Sequence, residues 1–221
     1  MLAPTYKPEP KEPWSAEQLS TFLAGSVSHR LHPLWLFLIA TGCRLGEAVA
    51  LRWEDTDLAA GTVTIRRAAQ KIDRQWVVTT PKTRAGVRSI ALPQEAVAAL
   101  RRQRALQAER RLKAGTSYQD HGLVFANETG GYQSFTTVEW ALAQYCKRLG
   151  LPPVTPHGLR HLHASLLLAQ GLPVPAVSAR LGHANPGVTM TVYAHYIGQN
   201  DDAAAKAISK ALAGGSLQNS L

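Results

Sequence analysis

The spacing of apolar and polar positions divides the chain into three regions, and the first region is predicted to be helical. Apolar residues recur at helical spacing through "SAEQLSTFLAG" and fill most of "LHPLWLFLIAT", and a third, shorter helix fits "LGEAVALRW". Ser15 with Gln18 forms a capping-box pattern where the first helix begins. Gly42 is the expected end of the second helix.

The second region alternates apolar and polar positions and is rich in β-branched residues. The segments "GTVTIRRA", "QWVVTT" and "VRSIAL" each predict a strand, and together they predict one small antiparallel sheet. The basic segment "PKTRAG" lies between the last two strands and is predicted to be a turn.

From residue 93 the pattern becomes helical again. Helices are predicted over residues 93–113, 134–149 and 155–171, with shorter ones around "VPAVSARLG", "PGVTMTVYAHY" and "DDAAAKAISKALAGG". The segment "GLVFA" predicts a short strand or extended piece. The charged outer face of the first of these helices fits solvation better than a DNA contact. The pattern as a whole predicts an α+β fold, a mainly helical domain with a small antiparallel β-sheet.

Composition narrows the functional classes. The chain has 221 residues, and 24 Lys and Arg against 15 Asp and Glu give a formal net charge of +9. This surplus makes nucleic acid the first partner to test and an anionic membrane surface the second. Cys43 and Cys146 lie far apart, so neither a disulfide framework nor a metal site is predicted. The longest apolar segment, residues 34–40, is too short to cross a bilayer, and the expected location is the cytoplasm.

The segment "HGLRHLH" is the first candidate for chemistry. His157, Arg160 and His161 share one helix face, because they stand three and four residues apart. A guanidinium suits phosphate oxygens, and a neutral histidine beside it can accept or give a proton. The alternatives remain open: Arg160 could form a surface ion pair, and His161 and His163 could be capped or packed. No carboxylate accompanies these histidines at metal-ligand spacing.

Three further positions carry candidate groups. Arg44 stands at a predicted helix junction, where a buried guanidinium needs an anion; an internal pair with Glu47 or Asp55 is the alternative. Lys82 lies in the basic turn, where it is either solvated or a proton donor to a cleft. His183 follows a helix-ending glycine, a place that also suits a capping or packing histidine.

Two tyrosines close the list of candidates. Tyr193 and Tyr196 stand three residues apart in "TVYAHYIG", so helical spacing alone does not choose between them as a nucleophile. A tyrosine hydroxyl has a pKa near about 10 and needs a neighbour to take its proton before it attacks.

The motifs "TGCRLGE", "PKTRAG", "HGLRH", "LGHANPGVTM" and "VYAH", in this order, resemble the catalytic domain of the tyrosine recombinases, the phage-integrase family. The resemblance covers about residues 15–196 and is carried by the order of the motifs more than by any one of them. It implies six catalytic residues: Arg44, Lys82, His157, Arg160, His183 and Tyr193. Arg84, Arg88, His161 and Tyr196 are further candidates for DNA contacts, and Glu47 matches an acidic position of the family that supports the first arginine.

The implied reaction suits these residue types. Two fixed guanidiniums would stabilise the charge that develops on a DNA phosphate under attack, so neither a metal ion nor another cofactor is expected. His157 would accept the proton of Tyr193, Lys82 would protonate the departing 5′-hydroxyl, and His183 would hydrogen-bond the phosphate or help proton transfer. The product would be a 3′-phosphotyrosine bond. Tyr196 would be a packing residue or a secondary DNA contact.

The resemblance also divides the chain and suggests its partners. Residues 1–13 are expected to be a linker or interdomain arm, residues 14–200 the catalytic domain, and residues 201–221 a C-terminal helix and tail. Double-stranded DNA is the expected partner, bound weakly and with strong salt dependence, because the family's N-terminal core-binding domain is missing. Self-association to a tetramer on DNA is expected, with the C-terminal helix docking on its own domain or on a neighbour. The alternatives are a type IB topoisomerase or a DNA-binding module without catalysis.

Overall fold

The computed structural model describes residues 13–80, 87–183 and 187. Its α-helices are α1 (Ala16–Ser26), α2 (His32–Thr41), α3 (Leu45–Val49), α4 (Gln94–Ala114), α5 (Phe135–Arg148), α6 (Pro156–Ala169) and α7 (Val174–Leu181). Its strands are β1 (Thr56–Asp57), β2 (Thr62–Ile65), β3 (Ala68–Ile72), β4 (Gln75–Thr79) and β5 (Arg88–Ala91). The predicted α+β class, mainly helical with small antiparallel sheets, is confirmed.

The first two helices form as their end residues predict. The Ser15 hydroxyl accepts a hydrogen bond from the Gln18 backbone N–H at 3.3 Å, and the Gln18 side chain accepts one from the Ser15 backbone N–H at 2.9 Å. Gly42 ends α2 in the left-handed region at φ 63°, and its N–H donates to the Leu38 carbonyl at 2.9 Å. α2 is buried on nearly every side, which explains its almost continuous apolar sequence.

The prediction of one sheet is wrong, because the strands form two sheets. β1, β2 and β5 make a three-stranded antiparallel sheet in which Val63 lies opposite Ile90, and both side chains are buried. Within the described residues, β3 and β4 pair with each other and with no further strand. The chain leaves the first sheet at Arg66 and Arg67, whose guanidiniums are both tied to the buried carboxylate of Asp55. The three predicted strands are therefore split between a core sheet and a separate hairpin.

The β3–β4 hairpin closes through a two-residue turn. Asp73 and Arg74 have φ values of 47° and 67°, the positive pair that a type I′ turn requires. Ala69 is the buried residue of β3, and it packs with Val49 and Ala50 of the α3 region. Most of β4 is exposed. The predicted basic turn after it, residues 81–86, lies outside the described residues.

The core surrounds α2. Trp35 is fully buried, the ring of His29 stacks on it at 4.7 Å, and α4 and α6 both pack against the helix. Cys43 and Cys146 are free thiols in this core, each 1% exposed. Burial raises the pKa of both thiols, and that of Cys43 to about 12.

The C-terminal half agrees with prediction up to α7. Thr155 caps α6 by accepting a hydrogen bond from the Gly158 N–H at 3.0 Å, with Pro156 at the first helical position. The segment "GLVFA" forms only isolated bridges. The helices predicted around "PGVTMTVYAHY", apart from residue 187, and in residues 201–221 lie outside the described part. None of the described helices is both long and apolar enough to span a membrane.

Candidate functional site

Arg160 is the most buried of the candidate charged groups. Its side chain projects from α6, the residue is 3% exposed, and its Nη1 donates to the Gly42 carbonyl at 2.8 Å. Its Nη2 is buried and has no hydrogen-bond partner among the described residues. Burial and then the charge of Arg44 lower the pKa of Arg160 to about 10, so the guanidinium keeps its proton at neutral pH. A buried cationic donor without a partner is a site that an anion would complete.

Gly42 allows the elements around Arg160 to meet. A Cβ at this position would lie 2.5 Å from His163 Cδ2 and 2.7 Å from a methyl carbon of Leu181. Its positive φ also disfavours any other residue. The end of α2 can therefore touch both α6 and α7, and its carbonyl reaches Arg160.

Arg44 is held where α3 begins. Glu47 Oε2 accepts a hydrogen bond from the Arg44 backbone N–H at 2.8 Å, and Glu47 Oε1 lies 3.3 Å from Arg44 Nη1. The internal pair that the sequence left open is therefore present, with Glu47. The Arg44 side chain is nevertheless 53% exposed, so much of its guanidinium faces solvent. Glu47 therefore fixes the backbone of Arg44, while much of the Arg44 guanidinium stays accessible to a ligand.

Arg88 occupies the other side of the same carboxylate. Its Nη1 and Nη2 donate to Glu47 Oε1 and Oε2 at 3.1 and 2.7 Å, and its Nε donates to the Arg180 carbonyl at 2.9 Å. The side chain is only 8% exposed. The DNA contact predicted for Arg88 stays a prediction, but the hydrogen bonds of this guanidinium serve to hold Glu47.

The pKa of Glu47 reflects these partners. Burial alone would raise it, but the hydrogen bonds and charge of Arg88, with the backbone N–H and charge of Arg44, hold the pKa below its ordinary value. Glu47 is therefore an ionised anchor that orients both arginines.

Two histidines of α6 lie beside the arginines. The rings of His157 and His161 meet edge to face at 4.4 Å. Burial and then the charges of Arg160 and Arg44 lower the pKa of His157, and burial, His157 and Arg160 lower that of His161. Both rings are thereby biased towards the neutral form, in which a histidine can accept a proton.

His183 follows α7, one residue after Gly182 in the left-handed region. Its backbone N–H donates to the Ser178 carbonyl at 3.1 Å. Burial, followed by the charges of Arg160 and Arg44, lowers the pKa of His183 to about 4. The structure thus brings together four of the six predicted catalytic residues: Arg44, His157, Arg160 and His183.

The other candidates lie outside the described residues. They are Lys82, Arg84, Tyr193 and Tyr196. In the part of the chain that is described, no three His, Cys, Asp or Glu side chains cluster as a metal site would require.

Sequence reasoning missed Arg180. It bonds His163 and two backbone carbonyls beside the site. A cation in the last turn of a short apolar helix, directly before the "LGH" motif, was the signal that could have identified it.

Comparison with known proteins finds a matching family model and several relatives. The model of the Phage integrase family matches residues 13–199. A "Tyrosine recombinase XerC-like" protein of Caldanaerobacter subterraneus subsp. tengcongensis is 29% identical over 198 residues, covering 84% of this chain and 51% of that protein. The ICEBs1 integrase of Bacillus subtilis is 28% identical over 185 residues, covering 82% and 50%. The chain spans about half the length of these curated relatives.

The fold also matches a solved structure. The Tn1549 transposon integrase, in complex with transposon right end DNA, superposes with a TM-score of 0.77 at 22% identity. The match covers 94% of this chain and 68% of that one. At this identity the likeness shows the fold.

Proposed function

The chain belongs to the phage integrase family, and from that membership we propose that it cleaves and rejoins DNA strands in site-specific recombination. The nucleophile is Tyr193, and the intermediate is a 3′-phosphotyrosine bond. The observation that carries the proposal is the buried Nη2 of Arg160, which has no partner among the described residues.

Charge supports a phosphate as the missing partner. Arg44 and Arg88 flank Glu47, and both Arg44 and Arg88 act on the pKa of Arg160 as like charges. Glu47 is the one carboxylate among the described residues whose charge acts on Arg160. Three guanidiniums against one carboxylate leave a surplus that a phosphodiester offsets, most strongly when charge grows on its non-bridging oxygens.

The proton transfers follow from the remaining groups. Neutral His157 accepts the proton of the Tyr193 hydroxyl as its oxygen attacks phosphorus. The P–O5′ bond breaks, and Lys82 gives its proton to the departing 5′-oxygen. His183 hydrogen-bonds the phosphate. Religation reverses these steps with a 5′-hydroxyl from another strand, so the phosphodiester is conserved without an external energy source.

The partners in this proposal are double-stranded DNA and further copies of the protein. Arg84, Arg88, His161 and Tyr196 are proposed to contact the DNA outside the reacting phosphate. Affinity falls steeply with salt, because phosphate contacts release counterions. Assembly on DNA is a tetramer, in which the segment 201–221 packs on its own domain or on a neighbour. Because its substrate is DNA, the protein is proposed to act in the cytoplasm.

The test is covalent capture on a nicked suicide substrate, from which the cleaved strand diffuses away before religation. The wild-type chain and Tyr196→Phe are expected to form the protein–DNA adduct, whereas Tyr193→Phe forms none. An adduct that persists in Tyr193→Phe would show that another residue is the nucleophile. A wild-type chain that binds the substrate but forms no adduct would reduce the proposal to DNA binding alone.

A further inference from the structure

Arg180, in the last turn of α7, connects four elements of the site. Its Nε donates to His163 Nε2 of α6 at 3.2 Å. Its Nη2 donates to the Ala40 carbonyl of α2 and to the Ala91 carbonyl of β5, each at 3.0 Å. Its own carbonyl accepts the bond from Arg88 of β5. These bonds tie α7 to α6, α2 and β5 through a single side chain and its own carbonyl.

His163 has one hydrogen-bonding state that fits its surroundings. The ring is 5% exposed, and its Nδ1 lies 2.8 Å from the Ile39 carbonyl. A carbonyl only accepts, so Nδ1 carries the hydrogen; an arginine Nε only donates, so Nε2 carries the lone pair. The ring is therefore neutral and joins α2 to Arg180.

These bonds complete the C-terminal end of α2. The last carbonyls of a helix lack partners within the helix and need donors from elsewhere. Here His163 donates to Ile39, Arg180 donates to Ala40, and Arg160 donates to Gly42. The helix end that leads directly into Arg44 is thus capped by side chains of α6 and α7.

Each partner lies close in sequence to a candidate catalytic residue. Ala40 comes four residues before Arg44, His163 three residues after Arg160 on α6, and Arg180 three residues before His183. A shift of any of these elements would move the reactive group that follows or precedes it.

We propose that Arg180, acting through neutral His163, is a positioning residue that sets the separation of Arg44, Arg160 and His183 for DNA cleavage. The inference rests on the proposed function, since it names what places those groups. Arg180 itself does not touch the phosphate. A displacement on the order of 1 Å among reacting groups costs about 100-fold in rate, which is the effect expected when the bonds of Arg180 are removed.

The experiment separates rate from the amount of active protein. Single-turnover adduct formation on the suicide substrate yields a rate constant and an amplitude, and DNA affinity is measured in parallel. Arg180→Met is expected to lower the rate constant about 100-fold, with affinity and amplitude retained. Arg180→Lys restores part of the rate, because an ammonium reaches one carbonyl but not all three acceptors. His163→Gln, which keeps a donor and an acceptor, falls between Arg180→Met and wild type.

The matched control is Arg101→Met. Arg101 also donates from Nη2 to a backbone carbonyl, that of Leu58 at 3.0 Å, but it joins α4 to the β1–β2 turn. The rate constant of adduct formation by Arg101→Met is expected to equal that of wild type. A residue that only stabilises the fold would lower the amplitude and the melting temperature while leaving the rate constant of the folded molecules unchanged, and that result for Arg180→Met would overturn the inference.

A second readout, the protonation state of the His163 ring, requires neither DNA cleavage nor an active Arg180→Met variant. Nitrogen NMR of the His163 ring is expected to show a hydrogen on Nδ1 and none on Nε2 in wild type. The Nε2 signal is expected to shift in Arg180→Lys. A hydrogen on Nε2 in wild type would overturn the inference, because the bond from Arg180 could then not form.

The two proposals fail in different ways. If wild type forms no adduct, the proposed function fails and the positioning role fails with it. If wild type forms the adduct and Arg180→Met and His163→Gln do so at the same rate, the function stands and only the positioning role is lost.

Discussion

The carboxylates of Glu47 and Asp55 are both almost fully buried, and both bind arginines, but their charge balance differs. Asp55 Oδ1 forms an ion pair with Arg66 Nε at 2.8 Å, and Asp55 Oδ2 accepts a hydrogen bond from Arg67 Nη1. Glu54 Oε1 accepts a hydrogen bond from Arg67 Nη2 at 2.7 Å. Three guanidiniums there, those of Arg66, Arg67 and, at 3.7 Å from Glu54, Arg52, face two carboxylates, and each guanidinium has a carboxylate partner. The cluster is internally satisfied, and it fixes the point where β2 gives way to the β3–β4 hairpin.

The cluster around Glu47 instead includes a buried guanidinium that has no carboxylate partner among the described residues. Arg44 and Arg88 share the one carboxylate, and Arg160 adds a third guanidinium with an unpartnered Nη2. A buried acid–arginine pair therefore does not identify a site by itself. The informative feature is a buried guanidinium that has no carboxylate partner among the described residues.

The largest expected effect is from Arg160→Met. Removing one preorganised donor from a developing phosphate charge is expected to slow adduct formation about 10³-fold. The unfolding free energy should change little, by about 1 kcal/mol, because the buried charge that is lost had no counter-charge of its own. Cleavage rates and urea denaturation measure the two effects. Cleavage at the wild-type rate would mean that the surplus cation is not used on phosphate.

Asp55→Asn should give the opposite pattern. The substitution removes the carboxylate charge that Arg66 and Arg67 share. We expect a loss of about 2–3 kcal/mol of unfolding free energy, and no more, because Arg66 is half exposed and water can solvate its charge. Adduct formation by the folded molecules should stay near the wild-type rate. Asp57→Asn is the control, because Asp57 is exposed and its carboxylate accepts hydrogen bonds from the backbone N–H groups of Ala59 and Ala60. A large fall in cleavage by Asp55→Asn would remove the distinction between the clusters.

Lowering the pH should lower the unfolding free energy through the titratable groups around Glu47. Burial lowers the pKa of His163 and of His183 to about 4, from an ordinary value of 6.5. Between pH 4 and pH 6.5 the unfolded chain binds more protons at these histidines than the folded chain does. Their contribution to the unfolding free energy is therefore fully present above pH 6.5 and is lost as the pH falls towards 4. Glu47 acts in the same direction: its lowered pKa gives stability above its ordinary 4.5 that is lost as pH falls through the folded value.

Urea denaturation across pH 7 to pH 4 measures this slope. His163→Gln, which removes one of the shifted groups, should flatten it. A wild-type profile that is level over this range would contradict the burial of neutral histidines beside the arginines.

The smallest effect is expected in the hairpin. Arg74 has φ 67°, a conformation that costs an ordinary L-residue about 1 kcal/mol, so Arg74→Gly should raise the unfolding free energy by about that amount. Asp73→Gly is the control and should gain less, because Asp tolerates this region better than Arg. Thermal melting measures both, and a loss of stability in Arg74→Gly would show that its side chain is needed.

Helix ends were predictable from the sequence because their causes are local. Ser15, Gly42 and Thr155 act on backbone groups within a few residues, and each was identified from its type and place. The division of the strands into two sheets was not predictable. It depends on which distant segment pairs with β2, and β5 rather than β4 takes that place.

The residues of the site also fall into two groups, those that sequence motifs identify and those whose role depends on the fold. Arg44 and Arg160 stand in motifs that the sequence displays, and the structure brings them together at Gly42. The bonds that Arg88 and Arg180 make join residues far apart in the chain. The position directly before the "LGH" motif could mark Arg180 as a candidate, but no local pattern identifies the distant partners of Arg88 or Arg180, so their roles required the fold.

The burial of both cysteines has a practical use. Thiol reagents attack the thiolate, and the Cys43 thiol, with a pKa raised to about 12 and 1% exposure, offers almost none; Cys146 is equally covered. A cysteine introduced at the exposed Gln75 of the hairpin would therefore be the single fast-reacting thiol of the folded chain. One fluorophore attached there, on an otherwise native protein, would test whether the surroundings of the hairpin change when DNA is added.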